Sequence, residues 1–486
     1  MKALRMQIGV LLVVFLAWCS LASAQSWIPV VSPFPGSAGT ASLRTDGSVM
    51  VEDNNTGIWW KLVPDPTGDY ANGSWVLLVS EPSGYDPLYF GSAVLPDDKM
   101  VFEGGEYNFG VLDDTTLGFL FDEKAGTWTG IAPPSGWSKI GDAPTVVLPN
   151  GTFMLGSCCS ANEALLDESS LTWTSTGAGK ADANSEEGWT LLPNGKVLTV
   201  DTQNGTQSEL YSPSTGTWSL AGKLPVGITY DCGMGIVPEL GPAVLRPNGT
   251  VFVAGANGYT AIYNSKTGKW SKGPIFPPNS GGGQNGVADG PAALLPDGNV
   301  LVMASSINPC FRTPSDFFEF NGSTFTAVPG PPNAGNDASY YGRMVVLPNG
   351  GHVLFTDGSS DVEVYRPAGV AKSTWLPTIT SCPASTVTRG TAYTVKGTQF
   401  NGLSQGAAYG DDAQSATNFP LVRFTMTASG DVYYGRTKSF STMGVATGAK
   451  VVSAKIVPLP TMATGAATMI IVTNGLESNS CSVTVK

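Results

Sequence analysis

Leu148-Pro149-Asn150-Gly151 is one of seven copies of a short sequence motif, which we call the hairpin phrase. Measured between the Gly or Asp that ends each copy, the intervals are 51, 53, 44, 54, 49 and 52 residues. Asn-Gly and Asp-Gly readily adopt the positive φ angles of tight hairpin turns, so each copy is predicted to join two antiparallel strands. The other six copies are Leu43-Arg44-Thr45-Asp46-Gly47, Leu95-Pro96-Asp97-Asp98, Leu192-Pro193-Asn194-Gly195, Arg246-Pro247-Asn248-Gly249, Leu295-Pro296-Asp297-Gly298 and Leu347-Pro348-Asn349-Gly350.

The residues around each phrase predict two further strands. In the fifth unit, apolar residues 242–245 precede the phrase, β-rich residues 250–253 follow it, and residues 260–263 form a third strand. An aromatic residue then starts a fourth strand, and four strands per unit are typical of a propeller blade. That aromatic is Trp75, Trp128, Trp173, Trp218, Trp270 and Phe325 in the first six units.

The seventh unit has a third strand at 362–365 but no fourth strand after it. Residues 26–31 resemble the aromatic-led strands elsewhere, and a strand from the N-terminus would close the last blade and remove the open sheet edges. We therefore predict an all-β fold with a seven-bladed β-propeller over residues 25–371. Residues 375–486 read as the strands of a small β-sandwich.

Composition excludes other fold classes. The chain has 60 Gly and 35 Pro, only 13% charged residues and 42% hydrophobic residues. Helical bundles and coiled coils need many more charged residues, and disordered chains have much less apolar surface.

The N-terminus has the pattern of a secretory signal peptide, predicted over residues 1–24. Basic Lys2 and Arg5 precede an apolar run at 8–17, and Ala22-Ser23-Ala24 supplies a cleavage site. The protein is therefore expected to be secreted or periplasmic, with no membrane span after cleavage. Its net charge of −12 disfavours nucleic acid as a partner.

Six cysteines lie beyond the predicted signal peptide, and an even number in an exported chain favours disulfides over metal thiolates. Cys382 and Cys481 lie near the two ends of the C-terminal segment and are expected to pair. The pairing of the other four stays open, because the adjacent cysteines can bond each other or one of the distant pair. These four are Cys158, Cys159, Cys232 and Cys310.

The repeats resemble the kelch-type propellers of galactose oxidase and glyoxal oxidase, which continue into an immunoglobulin-like module. That family holds copper with two histidines and two tyrosines, one of them crosslinked to cysteine. Here the Tyr-His pair of a late blade is matched by Tyr340-Tyr341, and Gln414 stands where the second histidine is expected. The chain has one histidine, His352, on the second strand of unit seven. The resemblance thus implies the scaffold, while copper and radical oxidation are not expected.

Propeller topology predicts where a site lies. The phrases form hairpins on one face, so the residues before each first strand surround the channel mouth on the opposite face. Carboxylates, tyrosines and an arginine there suit sugar hydroxyls or acid-base chemistry, although carboxylates also commonly cap strand ends. The candidates for ligand binding or catalysis are Asp142, Glu186, Glu187, Glu239, Asp289, Tyr340, Tyr341, Arg343 and Gln414.

Three functions are compatible with this sequence. The first is a secreted protein that recognises a carbohydrate or cell-envelope glycan. The second is a polysaccharide lyase or hydrolase that uses Tyr340 or Tyr341 with Arg343 and an acid such as Glu186. The third is a structural adhesion protein. No metal or other cofactor is expected, although the composition of residues 357–361 suits calcium as well as a simple polar turn.

Overall fold

The computed structural model describes residues 25–233, 238–410 and 415–486, and the predicted signal peptide lies outside these ranges. The described residues form strands throughout, with three short 3-10 helices. The all-β prediction is confirmed. No helix in these ranges is long and apolar enough to cross a membrane.

Seven repeat sheets each contain four antiparallel strands within the described ranges. The first strand of the chain, β1 (Ser26–Pro29), belongs to sheet seven. Sheet one comprises β2 (Ala38–Leu43), β3 (Val49–Asp53), β4 (Ile58–Val63) and β5 (Ser74–Leu77). A small separate sheet holds β6 (Pro87–Leu88), β9 (Tyr107–Asn108) and β10 (Val111–Leu112), while sheet two comprises β7 (Gly91–Val94), β8 (Met100–Glu103), β11 (Gly118–Asp122) and β12 (Thr127–Ile131).

Sheets three to five use consecutive strands. Sheet three comprises β13 (Thr145–Val147), β14 (Phe153–Gly156), β15 (Glu163–Asp167) and β16 (Thr172–Thr176). Sheet four comprises β17 (Thr190–Leu191), β18 (Val197–Val200), β19 (Gln207–Ser212) and β20 (Thr217–Lys223). Sheet five comprises β21 (Ala243–Leu245), β22 (Thr250–Ala254), β23 (Thr260–Asn264) and β24 (Lys269–Lys272).

Sheets six and seven complete the repeats. Sheet six comprises β26 (Ala292–Leu294), β27 (Val300–Ser306), β28 (Arg312–Phe320) and β29 (Phe325–Val328), with β25 (Asn285–Gly286) beside β27. The 3-10 helices η1 (Pro332–Gly335) and η2 (Ser339–Tyr341) lead into β30 (Arg343–Val346), β31 (Val353–Thr356) and β32 (Glu363–Arg366) of sheet seven. Strand β1 pairs antiparallel with β32, so residues from both ends of the repeat region share one sheet.

The first strands of neighbouring sheets contact each other around a common centre. Contacts join β7 to β13, β17 to β21, β21 to β26, β26 to β30, and β30 back to β2. This arrangement is that of a β-propeller. In each sheet the hairpin phrase joins the first and second strands. Gly151 has the positive φ, 93°, that its turn requires. In the second copy Asp98 takes the same place with a φ of 88°.

The aromatic side chain of each fourth strand connects neighbouring sheets. Trp128 Nε1 donates to the Val79 carbonyl at 3.1 Å, and Trp173 Nε1 donates to the Ala132 carbonyl at 2.8 Å, both at the end of the preceding sheet. Trp27 does the same from sheet seven to Pro329, at 2.6 Å. These aromatics therefore pack between neighbouring sheets and hydrogen-bond them together.

The C-terminal residues form a separate β-module. After η3 (Ser373–Trp375), its strands are β33 (Thr378–Ser381), β34 (Thr386–Val387), β35 (Tyr393–Thr398), β37 (Leu421–Met426), β38 (Val432–Lys438), β39 (Val452–Val457), β40 (Gly465–Thr473), β41 (Leu476–Glu477) and β42 (Cys481–Val485). They pair in the order β33-β35-β39-β38-β37-β40-β42-β34, with β41 beside β40. The module lies on the face formed by the hairpin phrases, where Met443 N donates to the Pro149 carbonyl at 3.0 Å.

One segment of this module runs through the centre of the propeller. The axial segment, residues 404–410 and 415–419, includes β36 (Ala407–Ala408), which pairs with β26 of sheet six. Gln405 Oε1 accepts a hydrogen bond from Leu191 N of sheet four at 2.7 Å, and Ser415 Oγ donates to the Ala41 carbonyl of sheet one at 3.2 Å. Contacts with the first strands of three sheets place the segment in the channel and bring its tip to the face opposite the hairpins, the loop face.

Candidate functional site

Three carboxylates converge at the loop face. Glu186, Glu239 and Asp289 lie in the loops that lead into the first strands of sheets four, five and six. One carboxylate oxygen of each lies within 4.8 Å of those of the other two, and all three side chains are half-buried. The propeller thus brings together, at one side of the mouth, acids that are about fifty residues apart in sequence.

The environment of this trio favours a bound proton near neutral pH. Burial raises the pKa of Glu239 to about 7, and the charge of Glu106 acts in the same direction. A hydrogen bond with Glu186 opposes the increase. Near pH 7 Glu239 is therefore present in both its protonated and its ionised form and can donate or accept a proton.

Two members of the trio have an unusual backbone conformation. The φ angles of Glu186 and Asp289 are 57° and 52°, in the left-handed region that non-glycine residues rarely adopt. The loop before Glu186 is anchored by Ser185, whose hydroxyl donates to the Cys158 carbonyl and whose own carbonyl accepts from Thr202 Oγ1 at 2.7 Å. Such conformations persist only where the surroundings hold them, and they cluster at functional sites.

Two tyrosines lie on the same loop face, before the first strand of sheet seven. The rings of Tyr340 and Tyr341, in η2, are 4.2 Å apart, and Phe311 packs edge-on to Tyr340 at 5.4 Å. Tyr341 is 45% exposed, so its ring is available to a ligand. Burial, with a further contribution from Tyr341, raises the pKa of Tyr340, so its hydroxyl stays protonated at neutral pH.

Arg343 is buried and contacts the backbone of the turn that carries the tyrosines. Its side chain is only 6% exposed, and its guanidinium carbon lies 3.9 Å from the centre of the Tyr409 ring. Its Nη1 donates to the Tyr340 carbonyl at 2.8 Å, and Tyr409 Oη donates to the same carbonyl at 2.9 Å. Arg343 and the axial segment therefore orient the turn that presents the tyrosines.

The tip of the axial segment reaches the carboxylates. A side chain at Gly410 would place its Cβ 2.6 Å from Asp289 Oδ1, and one at Gly188 would place its Cβ 2.3 Å from the Gly410 carbonyl. Glycine at both positions permits this close approach. The predicted ligand residue Gln414 lies outside the described ranges.

The structure corrects two of the predicted mouth residues. Glu187 is fully buried, accepts from Thr199 Oγ1 at 3.1 Å, and pairs at 3.0 Å with Lys180, which also pairs with Glu209 at 2.7 Å. The turn at Glu186, whose φ is 57°, precedes Glu187, so Glu186 stays half-buried at the mouth while Glu187 lies in the interior. Arg343 is likewise buried and supports the site instead of lining it. Asp142 is half-buried, and its charge contributes to the raised pKa of Tyr107.

The loop between β8 and β11 adds residues that were not predicted. The charge of Glu106 contributes to the raised pKa of Glu239. Tyr107 hydrogen-bonds Glu106 and contributes to the raised pKa of Tyr340. This loop therefore connects the carboxylates with the tyrosines. Its position after Gly104-Gly105, between the second and third strands of its unit, was the available signal, because such loops lie on the same face as the mouth.

The structure resolves the cysteine alternatives. Adjacent Cys158 and Cys159 bond each other, and Cys232 bonds Cys310. Cys382 bonds Cys481, as predicted, within the C-terminal module. The first two bonds lie in loops of the loop face and stabilise the surroundings of the mouth.

The described donors do not match a copper site of the kind that the resemblance describes. His352, the one histidine of the chain, lies in the hairpin phrase region, and the charges of Arg366 and Asp69 act on it. Burial lowers its pKa to about 4. The mouth offers carboxylates and phenols where the resemblance requires imidazoles.

Comparison with known proteins defines the class. No family model matches the sequence, and no curated protein matches it. Among solved structures, a copper-bound fungal alcohol oxidase of the AA5 family is 14% identical with a TM-score of 0.52, and the match covers 95% of this chain and 99% of that chain. Virginiamycin B lyase from Staphylococcus aureus is 8% identical with a TM-score of 0.47 over 71% of this chain and 99% of that one. The first likeness shows a shared fold, and the protein is a β-propeller.

Proposed function

We propose that this protein is an exported seven-bladed kelch-type propeller with an immunoglobulin-like C-terminal module, and that its loop face recognises a carbohydrate or cell-envelope glycan. The observation that carries this proposal is the exposed Tyr341 ring on the same loop face as the trio of Glu186, Glu239 and Asp289. We further propose that the site works without copper, since the mouth presents Tyr341 where the resemblance requires histidine.

The chemistry of sugars supports this assignment. A pyranose has an apolar C–H face that packs on an aromatic ring and equatorial hydroxyls that donate to carboxylates. Tyr341 supplies an exposed ring, and the carboxylates of the same face supply several acceptor oxygens within 4.8 Å of one another. A few fixed polar groups next to an aromatic surface are typical of small-molecule sites.

A polysaccharide panel tests the proposal. The purified mature protein is incubated with immobilised polysaccharides and scored for retention and for new reducing or unsaturated ends. We expect retention of at least one polysaccharide and an approximately tenfold loss in Glu186→Gln. Leu220→Ala, a change at an exposed apolar residue of an outer strand, serves as the control and should bind normally. Binding unaffected by Glu186→Gln would place the site elsewhere.

A second candidate function is hydrolysis or lysis of the same glycan. The pKa of Glu239, raised to about 7 by burial, favours it, because a protonated acid next to a second carboxyl group is the arrangement of many glycosidases. The enzyme would release new ends with a pH dependence that Glu239→Gln abolishes. Retention without new ends from any polysaccharide of the panel would leave recognition alone.

A further inference from the structure

The adjacent cysteines Cys158 and Cys159 form a disulfide at the loop face. A disulfide stabilises a fold mainly by closing a loop in the unfolded chain, and this effect grows with the length of the loop. The cysteines of this bond are one position apart, whereas those of the other two disulfides are 78 and 99 positions apart. Loop closure therefore contributes least to stability at this bond.

The two residues of the bond differ in their access to solvent. Cys159 is exposed, whereas Cys158 is only 2% exposed. The loop before β13 covers Cys158: the Cys158 N donates to the Ile140 carbonyl at 2.9 Å, and a Cβ at Gly141 would lie 2.5 Å from Cys158 Sγ. A dissolved thiolate therefore reaches the disulfide from the side of Cys159.

The turn that contains the disulfide is hydrogen-bonded to the loop that carries Glu186. The Cys158 carbonyl accepts from Ser185 Oγ. The Ser160 carbonyl accepts from Asn184 N at 2.9 Å and from Asn184 Nδ2 at 3.0 Å. Asn184 and Ser185 are both buried. This turn thus holds the backbone directly before Glu186, a member of the mouth trio.

The disulfide restricts the backbone of its turn. It closes a small ring that includes the peptide bond between the two cysteines, so the dihedral angles within that ring cannot rotate freely. The backbone hydrogen bond across the cysteines, from Ser160 N to the Ser157 carbonyl, is long at 3.4 Å and adds little rigidity. Opening the ring therefore frees the turn to which Asn184 and Ser185 are bonded.

We propose that the Cys158–Cys159 disulfide is an exchange site for a small thiol, and that its reduction releases the loop that carries Glu186. The thiolate of the small thiol attacks Cys159 Sγ and forms a mixed disulfide, while Cys158 leaves as a thiolate and takes up a proton. A second thiolate attacks the sulfur of the bound small thiol, so Cys159 leaves and takes up a proton in turn. The two small thiols are oxidised to their disulfide, and the two electrons reduce the cysteines.

The redox state of this bond would control the mouth. With the bond closed, the turn holds Glu186 within reach of Glu239 and Asp289. With the bond open, the loop before Glu186 moves more freely, and the trio is no longer held in one arrangement. The consequence for glycan binding rests on the proposed function, whereas the exchange and the release of the loop do not.

Alkylation followed by mass spectrometry tests the exchange. The folded mature protein is treated with increasing concentrations of dithiothreitol, whose two thiols perform both steps, and then with iodoacetamide. We expect Cys158 and Cys159 to be alkylated at a concentration at least about tenfold lower than the one that labels Cys310, which is only 9% exposed. Labelling of Cys310 at an equal or lower concentration would overturn the exchange site.

Hydrogen exchange in the same samples tests the release of the loop. Reduction should speed amide exchange of residues 184–188 about tenfold, while the buried strand β22 of sheet five stays unchanged. The double variant Cys158→Ser, Cys159→Ser should exchange as the reduced protein does and should not respond to dithiothreitol, which controls for reduction of the other disulfides. Equal exchange of residues 184–188 before and after reduction of the unmodified protein would overturn the coupling.

Retention of the polysaccharide gives a separate reading. Reduction should lower retention by the unmodified protein about tenfold, as Glu186→Gln does, and should leave the double variant unchanged. Loss of retention in Glu186→Gln without a loss on reduction would contradict the link between the disulfide and the mouth. Absence of retention in every protein would contradict the proposed function, and the alkylation and hydrogen exchange results would still decide this inference.

Discussion

The two faces of the propeller use charged residues in opposite ways. At the hairpin face, Arg44 pairs with Glu123 at 3.0 Å, and Arg436 of the C-terminal module pairs with Asp98 at 3.0 Å and Glu123 at 3.1 Å. Lys61 also pairs with Glu123, at 2.6 Å. At the loop face, Glu239 instead interacts with two other acids: the charge of Glu106 raises its pKa, and it shares a hydrogen bond with Glu186.

The difference lies in what the charges contribute to stability. Opposite charges with matched partners join the C-terminal module to the repeat sheets, and removing one partner leaves a buried charge uncompensated. Carboxyl groups that gather together reduce stability when they ionise, so the ionised mouth trio costs stability where the ion pairs of the hairpin face do not.

The largest effect is expected from Arg436→Ala. This change leaves Asp98 without its cation in a mostly buried interface, while Glu123 keeps Arg44 and Lys61, so the free energy of unfolding should fall by about 3 kcal/mol. Urea-induced unfolding measures it, with Arg312→Ala, at an exposed position, as a control that should change it by less than about 0.5 kcal/mol. A loss below about 1 kcal/mol in Arg436→Ala would show that the pairs do not hold the module.

The pH dependence of stability follows from the buried acids. Burial raises the pKa of Glu81, Glu163 and Glu363 to about 8 in the folded protein. Between pH 4.5 and 8 unfolding therefore releases protons, and stability falls as the pH rises. Burial lowers the pKa of His352 to about 4, so below pH 6.5 this group makes stability rise with pH. It is one group against several acids, so the net stability still falls as the pH rises.

We expect the Tm to be about 5 °C higher at pH 5 than at pH 8. Differential scanning calorimetry measures both values. Glu163→Gln keeps an acceptor for Trp218 Nε1, which donates to Glu163 at 2.6 Å, and should reduce the difference. A Tm that is equal or higher at pH 8 would contradict the assignment of these acids as protonated.

At the mouth, Glu239→Gln should stabilise the protein slightly. The glutamine carbonyl oxygen can accept from Glu186 as the Glu239 carboxylate does, without a buried charge at high pH. The free energy of unfolding should rise by about 1 kcal/mol at pH 8 and stay unchanged at pH 5. Urea unfolding at both pH values tests this, with Glu477→Gln on the module as a control at a more exposed acid. Destabilisation of Glu239→Gln at pH 8 would make this carboxylate structural.

The smallest effect on stability is expected from Tyr341→Ala. Its ring is 45% exposed, so the free energy of unfolding should change by less than about 0.5 kcal/mol, while glycan retention falls about tenfold. Tyr341→Phe keeps the ring and should keep most of the retention. Equal retention in all three proteins would show that the ring is not a ligand surface.

Much of the repeat fold could be predicted from the sequence because its signals are local. The phrase ending in Gly151 does join β13 to β14, and Trp173 does begin the fourth strand of that sheet, where it donates to the preceding sheet. Turn residues and strand periodicity act within a few residues, so they can be read without knowing the neighbours.

The site could be predicted only in part. Glu186 and Asp289 were found because topology places the residues before each first strand at the mouth. Glu187 was assigned to the mouth wrongly, since burial depends on its partner Lys180 and not on its own identity. The contribution of Glu106 was missed because its loop approaches Glu239 only after the sheets close around the channel.

By itself, the sequence determined an all-β chain of repeated hairpins, an acidic composition and a single histidine, because these follow from residue identity and short-range spacing. The tertiary structure alone decided that Cys158 bonds Cys159, that the axial segment contacts the first strands of three sheets, and that three distant carboxylates meet within 4.8 Å. Those features depend on distances between residues far apart in the chain, which arise only when the sheets pack.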